Sequence, residues 1–226
     1  MTDTSFIPAA ESRLHIAFFT MYSRWLYDRT FAHVGADIAY RPAAGQSSLY
    51  LVNHHYWFDG LTPLLLNRYV FRQRLRAVME DVQLRKHPFF SRLGAFSINR
   101  GHPRSAMRSL DIAADWLNEE GHCLFLFPEG KLVDATLPIS IESGVLRVIA
   151  NAPMADVVPI ATHIHFLSGP KPVMLIRSGE PIRITDRMPK ALALQTVQHA
   201  MQEQKRRLVL DAMSGTRYPS LYQVNR

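Results

Sequence analysis

Residues 49–65 read LYLVNHHYWFDGLTPLL. An apolar run ends at Asn53-His54-His55, and Asp59 follows His54 with H-x4-D spacing. A neutral imidazole can take a proton near neutral pH. It is a better base when a carboxylate fixes its tautomer and stabilises the imidazolium. This spacing is awkward on a regular helix, where side chains three or four apart are neighbours. The pair can meet if His54 ends a strand and Asp59 sits in the first turn of the next helix, where it could also serve as a cap. Taken alone, H-x4-D is more often a cap beside a satisfied strand-end histidine. The chain has no G-x-S-x-G, so a serine-hydrolase elbow is unsupported. With no nucleophile nearby, a His–Asp pair points to deprotonation of a substrate hydroxyl or a water. His55 would point to the opposite side of an extended chain and is read as structural.

Two more segments carry polar residues at the ends of apolar runs. INRG (98–101) puts Arg100 where its guanidinium could hold a phosphate bidentately. LFPEGK (126–131) puts Glu129, Gly130 and Lys131 after another such run. Pro128 would stiffen that exit, Gly130 would allow a tight turn or a close ligand approach, and Lys131 could be a second phosphate contact. Singly, each has an ordinary alternative: a solvated arginine and a common P-E-G turn.

These segments need elements to position them. LYLVN (49–53), LRAVME (75–80), AFSIN (95–99), HCLFLFP (122–128), DVVPIATHIHFL (156–167) and PVMLIRSG (172–179) read as strands. Between them lie helical signals: DGLTPLLLNRYVF with Pro63 in a first turn, HPFFSRLG (87–94), and GVLRVIANAP (144–153). HPRSAMRSLDIAADWLNEEG (102–121) is the clearest helix, with Met107, Leu110, Ala114 and Leu117 on one face. MPKALALQTVQHAMQEQKRRLVLDAM (188–213) is the last. Alternation of strand and helix predicts an α/β fold, a mixed, largely parallel sheet flanked by helices, with sites where strands end. The segments at 53–59, 99–101 and 127–131 each follow a predicted strand. HCLFLFP is apolar on both faces and is expected at the centre of the sheet.

Residues 11–34 read as an N-terminal amphipathic helix. Leu14, Phe18, Met21, Trp25 and Leu26 fall near helical spacing, with Arg13, Arg24 and Arg29 interspersed. It fits either a helix packed on the core or one lying at a membrane interface. The organisation is therefore a helical, membrane-associating segment over 1–40, an α/β domain over 41–213 and a tail over 214–226.

The bulk composition agrees with one folded domain: 226 residues, 47% hydrophobic and 20% charged. A net charge of +7 and a pI near 9.8 suit an anionic partner. Nucleic acid is not expected, because the basic residues are scattered apart from RQRLR (72–76) and KRR (205–207), and no nucleic-acid motif accompanies them. The single cysteine, Cys123, sits in an apolar run and reads as a small buried hydrophobe; without a disulfide framework a reducing, cytoplasmic setting is expected. The N-terminus lacks the pattern of a secretory signal, and no apolar run is long enough for a spanning helix.

In order along the chain, NHHYWFD, GAFSINRG, LFPEGK and VVPIA (157–161) resemble the four blocks of the glycerolipid acyltransferases, the 1-acyl-glycerol-3-phosphate acyltransferase family. The resemblance covers roughly 35–185. It implies an α/β core with an N-terminal helical element, and transfer of an acyl group from acyl-CoA or acyl carrier protein to a lipid hydroxyl. His54 would be the general base and Asp59 its orienting carboxylate. Asn53, Arg100 and the loop Phe127, Pro128, Glu129, Gly130 and Lys131 would bind substrate. Neither a cofactor, a metal nor a covalent acyl-enzyme would be required, and the protein would be peripheral on the inner face of the cell membrane.

One departure stands out. The family pattern continues P-E-G-T-R-S, whereas this chain has Lys131-Leu132-Val133 after Gly130. Lys131 is a point charge without the bidentate fork of the missing arginine. The acceptor implied is lysophosphatidate-like or another hydroxyl lipid: a lyso-aminolipid, a glycolipid or a glycosylated carotenoid. Two other readings stand beside this one. His54, His55, Asp59, His163 and His165 could be metal ligands of a hydrolase. The same fold could also be a non-catalytic lipid or carrier-protein binder.

Overall fold

A computed structural model of the chain describes residues 6–166, 169–185 and 187–224. The first five residues of the N-terminal segment, the end of the strand expected to reach 167, and the last two residues of the tail lie outside these. The elements run α1 (Arg13–Thr30), β1 (His33–Ile38), β2 (Ser48–Val52), a 3-10 turn (Trp57–Gly60), α2 (Thr62–Leu66) continued by a π-helical turn (Asn67–Phe71), and β3 (Arg74–Glu80). Then come α3 (Asp81–Lys86), α4 (Phe89–Arg92), β4 (Ala95–Ile98), α5 (Pro103–Leu117), β5 (His122–Leu126), α6 (Gly144–Asn151), β6 (Asp156–His165), β7 (Val173–Ser178), α7 (Lys190–Met213) and a closing 3-10 turn (Leu221–Gln223).

Among the described residues seven strands form one sheet in the order β1-β7-β6-β2-β5-β3-β4. Only β6 and β7 pair antiparallel; every other pairing is parallel. The expected α/β architecture is present. Both central strands, β2 and β5, are buried at every residue. Alternation splits their side chains between two apolar layers. Tyr50, Val52 and Phe125 pack with Tyr27, Leu65 and Phe71 on one face. Leu49, Leu51 and Leu124 pack with Leu110, Leu117, Val148 and Met201 on the other.

Two elements differ from expectation. The helix read over 11–34 stops at Thr30, and His33–Ile38 instead form β1, pairing with β7. The short helix α3 follows β3 without a break. Residues before α1 run along the free edge of β4: Ser97 N–H donates to Ile7 O at 2.9 Å, and Ile7 N–H to Ser97 Oγ at 2.7 Å. At the other end of the chain, Leu221 is buried and Ser220 bridges to Gly35.

The amphipathic helix α1 is turned opposite to a core helix. It buries Thr20, Ser23 and Tyr27. Leu14, Phe18, Met21 and Trp25 are exposed, Leu14 at 83% and Met21 at 66%. Among the described residues no helix is long and apolar enough to cross a membrane.

Candidate active site

β2, β4 and β5 run parallel through β3, so the chain leaves all of them at one edge of the sheet. The three segments of interest are those exits. Asn53 leaves β2 fully buried, and its side-chain amide is used against β6. Its Nδ2 donates to Thr162 O at 3.1 Å, and its Oδ1 accepts from Thr162 N at 2.7 Å. Asn53 therefore extends the β2–β6 pairing by a side-chain rung and lies beneath the site.

His54 follows, with its ring against Phe127 at a centroid distance of 4.5 Å. Its Nδ1 is buried and has no hydrogen-bond partner among the described residues. Asp59 Oδ2 stands 3.6 Å from that nitrogen, an ion-pair distance but too long for a hydrogen bond. Nδ1 is the inward nitrogen, and 23% of the side chain is exposed.

Asp59 is held firmly. It sits in the 3-10 turn, completely buried, and its Oδ2 accepts from the backbone N–H groups of His55 and Tyr56, each at 2.8 Å. Its Oδ1 accepts from the Thr162 hydroxyl at 2.8 Å. The carboxylate that caps this turn is thus the one nearest the His54 ring. The cap hydrogen bonds fix its position, and the imidazole stands beside it.

The β5 exit closes over this pair. Glu129 is buried, and its Oε2 accepts from His54 N–H at 2.8 Å, while Oε1 is buried without a partner among the described residues. Burial raises the Glu129 carboxyl above the usual carboxylate range, opposed by the hydrogen bond from His54. Glu129 thereby holds the backbone of the histidine. Pro128 is buried as well. Gly130 has φ +68, a backbone conformation that favours glycine, and a Cβ there would press on the Arg100 guanidinium carbon at 3.1 Å. Arg100 Nη1 donates to Gly130 O at 2.7 Å. Lys131 is exposed at the rim.

The structure thus gathers His54, Asp59, Phe127 and Glu129 in direct contact, with Arg100 joined to the same loop through Gly130. His55 is bonded to the loop after β5, its Nδ1 donating to Val133 O at 3.0 Å. Burial lowers its pKa, and Lys205 nearby adds to this. His163 and His165 lie along β6 with ring centroids 5.8 Å apart. Among the described residues no group of three or more His, Cys, Asp or Glu could hold a metal ion. Cys123 is fully buried, and burial pushes its thiol far up, which removes it as a nucleophile. A groove of about 1360 Å³ between α5, α6 and residues 180–185 and 188–194 contains none of these site residues.

Sequence reasoning missed four residues that bear on this geometry. Thr162 holds both Asn53 and Asp59. On α7, Lys205 Nζ donates to Leu137 O at 2.6 Å, and Gln202 Oε1 accepts from Ile139 N at 2.8 Å. Glu142 reaches Arg100 Nη2 at 3.1 Å. None belongs to a short-range motif; only the fold makes them neighbours.

The acyltransferase family model matches residues 35–163, more than half of the chain. A comparison with curated proteins found no match. Among solved structures, the chain is similar to the crystal structure of the 1-acyl-sn-glycerophosphate (LPA) acyltransferase, PlsC, from Thermotoga maritima, with a TM-score of 0.60. The two are 14% identical, and the match covers 85% of this chain and 79% of that one, a likeness of fold.

Proposed function

The chain belongs to the acyltransferase family, and we propose that it transfers a fatty acyl group from a thioester, acyl-CoA or acyl carrier protein, to the hydroxyl of a lipid acceptor. The observation that carries this reading is the His54–Asp59 arrangement. A buried carboxylate with three hydrogen-bond donors stands 3.6 Å from an imidazole partly exposed beside the Phe127–Lys131 loop. His54 Nε2 takes the proton of the acceptor hydroxyl as its oxygen attacks the thioester carbonyl. Asp59 stabilises the resulting imidazolium. Collapse of the tetrahedral intermediate expels the thiolate, which recovers the proton from His54. The acyl group passes directly to the acceptor.

In this reading Phe127, Gly130, Lys131 and Arg100 face the acceptor's polar head. Asn53, Pro128 and Glu129 hold the frame. The acceptor is drawn from a membrane, and the protein works as a peripheral enzyme on its inner face. The exposed apolar side of α1 and the net charge of +7 support that placement.

Purified protein given an acyl thioester and a panel of hydroxyl lipids should transfer acyl chains. His54→Ala should lower the rate roughly a thousandfold with circular dichroism unchanged, the scale of a lost general base. Full activity in His54→Ala would refute the mechanism.

A further inference from the structure

Arg100 already has an internal anion. One of its terminal nitrogens donates to Gly130 O at 2.7 Å, and the other to the Glu142 carboxylate at 3.1 Å. Its guanidinium stands close to Gly130, so that a Cβ there would lie 3.1 Å from the guanidinium carbon. Glu142 is itself fixed in place. Its backbone N–H donates to Pro128 O at 2.8 Å, so the loop from Pro128 to Glu142 closes on itself beside the site, and its O accepts from Val145 N at the start of α6. From Lys131 to Glu142 the loop carries one cation, Lys131, and two acids, Asp134 and Glu142. With Arg100 added, these four side chains sum to no net charge.

A phosphate gripped by Arg100 needs the guanidinium fork. Here a carboxylate holds part of that fork, and an incoming phosphate would lie within a few ångströms of it, like charge against like charge. We propose that Glu142 is a specificity-determining residue. By neutralising Arg100 it turns phosphate-bearing head groups away from the site and favours acceptors whose head at this point carries no negative charge. This rests on the acyltransferase reading, and it narrows the acceptor class.

The test uses sn-glycerol 3-phosphate as the probe, with binding to the full-length protein measured by titration calorimetry. Glu142 is exposed, and Glu142→Gln keeps its shape and its ability to accept from Arg100. Glu142→Gln should bind the probe on the order of tenfold more tightly than wild type, the effect of removing one nearby surface charge. Adding Arg100→Gln should abolish the gain. Equal binding in wild type and Glu142→Gln, including no binding by either, overturns the proposal. So does a gain that survives loss of Arg100. This readout is binding and does not depend on transfer. A protein that acylates no hydroxyl lipid would overturn the reading above while leaving the calorimetric result standing.

Discussion

His163 shows what burial does to a single imidazole near this site. It is half-buried on β6, and burial, with His165, His55 and Lys205 around it, lowers its pKa from 6.5 to about 4. The folded protein therefore resists protonation that the unfolded chain accepts. The stability this contributes is present above pH 6.5 and is lost progressively as pH falls to about 4. Denaturant unfolding followed across that window should show the decline, and His163→Gln should make it shallower, with His55 supplying the remainder. A wild-type stability that does not change between those pH values would contradict this account. At this scale the sequence was readable where chemistry and spacing coincide, at His54 and Asp59. It was not readable at Thr162, whose hydroxyl reaches Asp59 across 103 positions of chain. Nor could it show that Glu129 faces the His54 backbone, since motif order does not reveal which way a turn aims its side chains.

The loop from Phe127 to Glu142 is stitched to its surroundings at identifiable points. Val133 N–H donates to His54 O at 2.9 Å, and His55 holds Val133 in return. On the far side, Lys205 and Gln202 of α7 tie down Leu137 and Ile139. Lys205 is buried, and burial lowers its pKa. Lys205→Met keeps the stem and removes a buried charge, so the stability change should stay within about 2 kcal/mol in either direction. Releasing the loop should nonetheless reduce transfer about tenfold, because catalytic groups must be held to within a fraction of an ångström. Thermal unfolding alongside acyl-transfer kinetics separates the two effects; unchanged kinetics would remove α7 from the account. Six of the seven strands could be found beforehand, because each is an apolar run between turn signals. β1 could not. HVGADI has a glycine and an aspartate inside it, follows α1 without a glycine or proline stop, and takes its meaning from β7, far along the chain. α3, six residues long, is too short to show a period.

At the scale of the whole molecule, the exposed apolar side of α1 stands out. Phe19 stacks on Phe89 at 4.7 Å, which joins the helix to α4, while Phe18 and Trp25 remain open, each more than half exposed. An apolar surface of this kind on a cationic protein suits an anionic bilayer. The protein should sediment with vesicles containing phosphatidylglycerol, less so at high salt. A Phe18→Glu/Trp25→Glu variant should stay in the supernatant with its circular dichroism unchanged. Equal sedimentation of both proteins would place the contact elsewhere.

The pairing of β1 with β7 has a consequence in time. Ala39 N–H donates to the Ser178 hydroxyl just beyond that pairing, and the two residues are 139 positions apart. At roughly 5–20 residues per second, a ribosome needs on the order of ten seconds to deliver β7 after β1 has emerged. During that interval β1 has no neighbour in the sheet, because the order of strands places β7 between it and everything else. Meanwhile α1, next to β1 in the chain, already presents its apolar side. A nascent chain in this condition is exposed to chaperones and to the membrane before its sheet is complete. Slowing translation between β1 and β7 should therefore increase aggregation of newly made protein more than slowing it after β7.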